Sequence, residues 1–221
     1  MKKNSSINKI PFNIREILLK NLEDLRPIQK KALDLDIFNT KDNILVSSPT
    51  ASGKTLISEM LFLDTILNKK KKAIYIVPLK ALASEKYKEF NYKYGNLFKI
   101  RVSYGDNGND FFNLMFDLLI VTSEKLDSLI RHNKDFLKEV ELIVVDEIHL
   151  LNDEKRGPTL EILLTLFKTI YRKIRIIGLS ATISNGNEIA KWLKAKYIED
   201  DWRPVELQHY ILNGNKLKRY K

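Results

Sequence analysis

The 221-residue sequence contains no cysteine, which excludes disulfides, thiol nucleophiles and cysteine-ligated zinc. It also lacks any apolar run long enough to cross a bilayer, because charged residues interrupt every hydrophobic stretch, so no membrane association is expected. After Met1, Lys2 and Lys3 the N-terminus continues as Asn4, Ser5 and Ser6, without the apolar centre of a secretory signal. A soluble, intracellular (cytoplasmic) protein is the expectation. No internal repeat and no long low-complexity linker interrupts the chain. Acidic residues are in the minority, 28 against 38 lysines and arginines, for a formal charge of +10, a balance that favours a polyanionic partner.

What is present is alternation. Short Ile- and Val-rich runs predict strands at Asn43 to Ser47, Ala73 to Val77, Lys99 to Ser103, Leu118 to Val121, Leu142 to Val145 and Arg175 to Leu179. Between them, helical periodicity predicts Lys54 to Leu67, Leu79 to Tyr92, Ser123 to Arg131, Leu160 to Tyr171 and Glu188 to Lys194. In the fourth of these, Leu160, Leu163, Leu164, Phe167 and Ile170 fall on one face at three- and four-residue steps and read as core. Strand and helix in turn imply an α/β domain with a mainly parallel sheet and helices on both faces. Upstream, Ile14, Ile17, Leu18 and Leu22 suggest an amphipathic helix ahead of a turn at Arg26 and Pro27. The basic runs Lys69 to Lys72 and Lys216 to Lys221 read as a solvated loop and a mobile end.

Chemistry enters at Ser48 to Thr55, Ser-Pro-Thr-Ala-Ser-Gly-Lys-Thr, a P-loop pattern with serine in place of its first glycine. A strand that delivers this loop to a helix N-terminus aims backbone N–H groups and the helix dipole at phosphates. Thr50, Ala51, Ser52 and Gly53 would line the cradle, Lys54 would reach the β- and γ-phosphates of ATP, and the Thr55 hydroxyl would hold magnesium. The strand Leu142 to Val145 ends in Asp146 and Glu147, placing two carboxylates at a sheet edge. Asp146 suits a magnesium ligand, and Glu147 suits the base that orients and deprotonates an attacking water.

His149 completes Asp146-Glu147-Ile148-His149, which looks like motif II of the DExH-box helicases of superfamily 2. Further segments resemble the same family in order: Leu25-Arg26-Pro27-Ile28-Gln29, Ile76-Val77-Pro78-Leu79-Lys80-Ala81-Leu82, Tyr104-Gly105-Asp106, Val121-Thr122-Ser123-Glu124-Lys125-Leu126, Arg156-Gly157-Pro158 and Leu179-Ser180-Ala181-Thr182. The closing Asp201-Trp202-Arg203-Pro204-Val205-Glu206-Leu207 is most similar to the Ski-like subgroup, and within it to archaeal fork-processing DNA helicases. The resemblance implies a RecA-like motor domain over residues 25–200, after an N-terminal segment 1–24 and before a tail 201–221 that leads towards a second motor domain. It implies that Lys54, Asp146, Glu147 and His149 serve ATP hydrolysis, that Gln29 reads the base, and that Ser180 and Thr182 couple nucleotide state to domain arrangement by bridging to Asp146 or His149. It implies movement along nucleic acid in the 3′ to 5′ direction.

A nucleic-acid surface is expected apart from the ATP pocket, formed by Pro78, Lys80, Thr122, Ser123, Lys125, Arg131, Arg156 and Gly157, with contacts to backbone phosphates rather than to base edges. Single-stranded or forked DNA is the leading substrate and RNA the alternative. A non-catalytic nucleic-acid-binding module and a small-molecule P-loop kinase are the other readings of the same fold. Because little chain follows Leu207, a fragment without the second motor domain and its arginine finger is expected to bind nucleotide but to be poorly active alone.

Overall fold

A computed structural model describes residues 6–18, 24–105, 115–133, 135–206, 208, 210–213 and 216–219. Leu22, Asp106 and Leu207, singled out above, lie outside them.

Seven strands form one sheet: β1 (Asn43–Ser47), β2 (Lys72–Val77), β3 (Ile100–Ser103), β4 (Leu118–Thr122), β5 (Val140–Val145), β6 (Arg175–Ser180) and β7 (Ala195–Glu199). Their order is β3-β4-β2-β5-β6-β1-β7, and every pairing is parallel. Parallel strands need crossovers, supplied here by α3 (Lys54–Leu63), α4 (Lys80–Tyr94), α5 (Ser123–His132), α6 (Gly157–Thr169) and α7 (Gly186–Leu193). Two helices precede the sheet, α1 (Phe12–Leu18) and α2 (Pro27–Asp34).

The central strands read as unbroken apolar runs because both faces are covered. Alternate residues feed two cores. Ile44, Val46, Tyr75, Val77, Ile120 and Val144 pack under the helices of one face, while Leu45, Ile74, Ile76, Val121, Ile143 and Val145 pack under those of the other. Ile10, Ile14 and Leu18 join the first core together with Leu25 and Ile28, so the N-terminal segment is packed onto the domain.

Three differences from the sequence reading have physical causes. The edge strand β7 was not expected, because its row Ala-Lys-Tyr-Ile-Glu buries only Ile198 fully and carries no continuous apolar signal. The run Lys69 to Lys72 is not simply a solvated loop. Lys72 opens β2 and lies 2.6 Å from Glu139, while Lys69 lies 3.5 Å from both Asp64 and Glu141. The basic C-terminal segment, expected without secondary structure, is paired over its described residues: β9 (Lys216–Arg219) runs antiparallel to β8 (Tyr210–Asn213) in a two-stranded sheet. Elsewhere the predicted ends moved by a few residues, and the helix after β1 closes in a π-helical turn at Asp64–Asn68.

Candidate nucleotide site and adjoining groove

The loops after β1, β5 and β6 meet at one edge of the sheet. Because β6 lies between β1 and β5, the P-loop and the acid pair stand two strands apart with Ser180 between them. The Ser48 N–H donates to the Ser180 carbonyl at 3.2 Å, which fixes where the loop starts.

Within the P-loop, the Ser48 and Ser52 hydroxyls share a buried 2.5 Å hydrogen bond. Ala51 has φ +63° and Gly53 φ +95°, the left-handed geometry that turns the chain into α3. The positive φ favours glycine at 53, and a Cβ there would sit 2.3 Å from Gln29 Nε2 and displace the amide that ties α2 to the loop. Lys54 donates from Nζ to the Ser48 carbonyl at 2.5 Å and the Pro49 carbonyl at 3.0 Å. Its pKa is lowered, first by burial, while Glu147 and Asp146 pull it back up. The lysine therefore lies within the field of both carboxylates. Thr50 and Ala51 are exposed, and Thr55 is half-buried in the first turn of α3.

Asp146 is held at both carboxylate oxygens. Tyr75 Oη donates to Oδ2 at 2.8 Å, and the Glu147 N–H donates to Oδ1 at 3.1 Å. Glu147 sits at φ +50°, a strained backbone for a non-glycine residue and one common at functional sites. Burial and then the Asp146 charge raise the Glu147 pKa, opposed by His149, Lys54 and Lys86. His149 Nδ1 lies 3.3 Å from Glu147 Oε2 but makes no hydrogen bond of good geometry, so the contact is electrostatic. The buried Ser180 hydroxyl has no hydrogen-bond partner, and Thr182 is exposed. The bridge from these hydroxyls to Asp146 or His149 is not made in this structure.

Gln29 is 2% exposed. Its Oε1 accepts from the Arg26 N–H at 2.8 Å, and its Nε2 donates to the Gly53 carbonyl at 3.0 Å, tying α2 to the P-loop. Sequence reasoning missed Tyr75 and Lys86. Tyr75 is a fully buried member of an apolar run, and only its hydroxyl reaching Asp146 reveals its role.

The expected nucleic-acid residues divide. A cavity of about 640 Å³ is lined by Pro78, Lys80, Gly105, Thr122, Glu124 and Lys125 among others. Lys80 is exposed at its wall, whereas Lys125 is only 4% exposed. Thr122 caps α5, its hydroxyl accepting from the Lys125 N–H at 3.5 Å. Ser123 lines a separate, narrower cleft with Pro78, Asp146, Glu147 and Arg156. Arg131 stands on the exposed end of α5, 2.7 Å from Asp127. Gly157 is buried, its N–H donates to the Asp153 carbonyl at 2.8 Å, and a Cβ would meet the Leu151 carbonyl at 2.2 Å. Close packing explains that glycine, and its N–H is already engaged.

A parallel sheet that brings a lysine-bearing phosphate loop and an acid pair to one edge defines a P-loop nucleotide-binding domain. The DEAD/DEAH box helicase family matches residues 26–189, and the chain belongs to that family. Over 201 residues it is 53% identical to an ATP-dependent DNA helicase Hel308 of Methanocaldococcus jannaschii, covering 88% of this chain and 17% of that relative. The corresponding helicases of Methanococcus vannielii and Pyrococcus abyssi are 48% and 45% identical, over 89% and 88% of this chain and 27% of each relative. The chain thus spans between 17% and 27% of the length of these curated relatives.

Proposed function

We propose that the chain is the ATP-binding first motor domain of an ATP-dependent DNA helicase, over residues 25–200, with residues 201–221 leading to a second motor domain. The observation that carries this reading is the meeting of Lys54 with Asp146 and Glu147 across the Ser180 strand. The naming of the relatives as DNA helicases, and their greater length, support the DNA substrate and the second domain. Movement from 3′ to 5′ and an intracellular place belong to the same reading.

The protein's own groups divide the work. On nucleotide binding, the Lys54 ammonium exchanges the Ser48 and Pro49 carbonyls for β- and γ-phosphate oxygens, a charge-assisted replacement for neutral hydrogen bonds. Asp146 and Thr55 offer one carboxylate and one hydroxyl, hard oxygen donors that suit magnesium when phosphates and water complete its shell. Magnesium bound there supplies charge neutralisation across the phosphates. Glu147, its basicity raised by burial and by Asp146, takes the proton of the attacking water, and nearby His149 stabilises the carboxylate's orientation. The orphaned Ser180 hydroxyl is free to receive a partner when the acid pair rearranges around the phosphates. Lys80, Thr122, Ser123 and Arg156 would receive the phosphates of one strand, and Arg131 would flank them.

Calorimetric titration of ADP with magnesium tests the site: Lys54→Ala strongly weakens binding, and equal affinity in the variant would sink the reading. ATPase activity of the complete enzyme, stimulated by single-stranded DNA more than by RNA, tests the substrate. Stronger stimulation by RNA would transfer the assignment to an RNA motor, and phosphate transfer to a small acceptor would transfer it to a kinase.

A further inference from the structure

The sheet order fixes which way a bound nucleotide points. The carboxylates that act on the terminal phosphate stand at β5, on one side of the P-loop strand β1, so the nucleotide's sugar and base extend towards the other side, where β7 lies. Two planar groups wait at that side. Arg26 reaches over the P-loop and donates from its guanidinium to the Ala51 carbonyl, and its Cζ lies 5.7 Å from the centroid of the Trp202 ring. The other aromatic side chain of that edge, Tyr197, is packed against Gly186.

Trp202 is held there by a chain of contacts. The Asp200 N–H donates to the Ser47 carbonyl at 3.1 Å, at the end of the P-loop strand. Lys31 of α2 lies 2.9 Å from the Asp200 carboxylate and also donates to the Glu199 carbonyl at 2.7 Å. The Asp200 carboxylate in turn accepts from the backbone N–H of Trp202 at 2.8 Å. Trp202 as a residue is nevertheless 39% exposed, an aromatic residue on an anchored segment that is left partly open to solvent. A flat cation resting on it marks where a flat, electron-poor ring would stack.

We propose that Trp202 is the base-stacking platform of the nucleotide site, with the base of a purine nucleotide taking the place that the Arg26 guanidinium occupies on the indole. This rests on the nucleotide reading above and adds a base-contacting residue to it. Stacking is tolerant of base identity, because every base has a π-face, and the larger purines cover more of the indole than pyrimidines do. Since Trp202 lies in the segment that leaves the domain after β7, the same contact makes that segment respond to an occupied site.

ADP and inorganic pyrophosphate, each with magnesium, separate base from phosphate binding when titrated into the wild-type chain, W202A and W202F. The alanine variant is expected to bind ADP about tenfold more weakly, with pyrophosphate affinity unchanged, and phenylalanine is expected to restore most of the loss. Replacing the other of the two tryptophans, W192F, leaves Trp202 as the only indole, and its emission should change on adding ADP but not pyrophosphate. Equal ADP affinity in W202A and wild type, with the Trp202 emission unmoved, overturns the platform and leaves the phosphate site standing. Failure of the wild-type chain to bind either ligand overturns the nucleotide site and the platform together.

Discussion

The nucleotide edge and the proposed nucleic-acid groove are both built from loops that follow parallel strands, the first after β1, β5 and β6 and the second after β2, β3 and β4, yet they are organised in opposite ways. At the nucleotide edge the central groups are already engaged by the protein itself, Lys54 by its own loop, Gln29 by Arg26 and Gly53, and Asp146 by Tyr75, while the Ser180 hydroxyl and His149 Nδ1 are left without a hydrogen bond. The backbone there is strained at Ala51 and Glu147. The groove is an open cavity with the exposed Lys80 at its wall and a helix cap at Thr122. Preorganisation suits chemistry that tolerates little displacement, and an open, weakly structured surface suits a polymer that must slide. Substitutions should therefore act sharply and individually at the first site and weakly and additively at the second.

The largest effect is expected from Glu147→Gln. In the complete enzyme it should lower turnover about 100-fold or more while leaving nucleotide affinity close to wild type, because the amide keeps the shape but cannot take a proton. The pH dependence carries the same signature. Burial and Asp146 raise the Glu147 pKa above its ordinary 4.5, so the base is lost, as pH falls, earlier than an exposed glutamate would be. The acid limb of kcat/KM should sit above the usual carboxylate range, and the alkaline limb should be drawn below 10.5 if Lys54 sets it. A profile with its acid midpoint at or below 4.5 would remove Glu147 from the role.

Next comes Lys54→Ala, expected to weaken nucleotide binding about 30-fold or more, since it removes a half-buried charge partner from the phosphates. Lys54→Arg should not rescue it, because the amine sits in a tight nest of the Ser48 and Pro49 carbonyls that a planar guanidinium does not fit. Rescue by arginine would mean that charge alone, not the nest, matters.

These two residues were read directly from sequence, and the reason is physical. A phosphate loop is dictated by steric and electrostatic needs confined to a few consecutive residues, so Gly53, Lys54, Asp146 and Glu147 announce themselves locally. The central strands did so too, because burial on both faces leaves an unbroken apolar row. Residues whose role depends on long-range contact were hidden. Tyr75 reaches Asp146 across 71 positions, and in sequence it is one more apolar residue of β2. The edge strand β7, half exposed, lacked the apolar row that marked its neighbours. Lys125 was read as a nucleic-acid contact because its place in the first turn of a helix says nothing about burial, and Gly157 was read as another although packing against Leu151 accounts for it.

A subtler effect is expected from Tyr75→Phe. Its hydroxyl orients the Asp146 carboxylate from behind, and loss of such an outer partner typically weakens metal binding by about tenfold. The magnesium concentration needed for half-maximal ATPase activity should rise, with turnover at saturating magnesium largely restored. A variant that loses turnover equally at all magnesium concentrations would make Tyr75 a packing residue only.

The smallest effect should appear in the groove, where it separates phosphate contact from general basicity. Lys80 is exposed at the cavity wall, so Lys80→Ala should weaken binding of single-stranded DNA by the complete enzyme only a few-fold, equally for all sequences. It should also lower the slope of log affinity against log salt by about 0.7, the counterion release of one single-strand phosphate. Arg131 is the matched control, because the Asp127 carboxylate 2.7 Å away already neutralises it, and its removal should change the slope less. If Arg131→Ala lowers the slope and Lys80→Ala does not, the strand runs over the outer end of α5 and not through the cavity. The contrast between the two edges would then concern their loops alone.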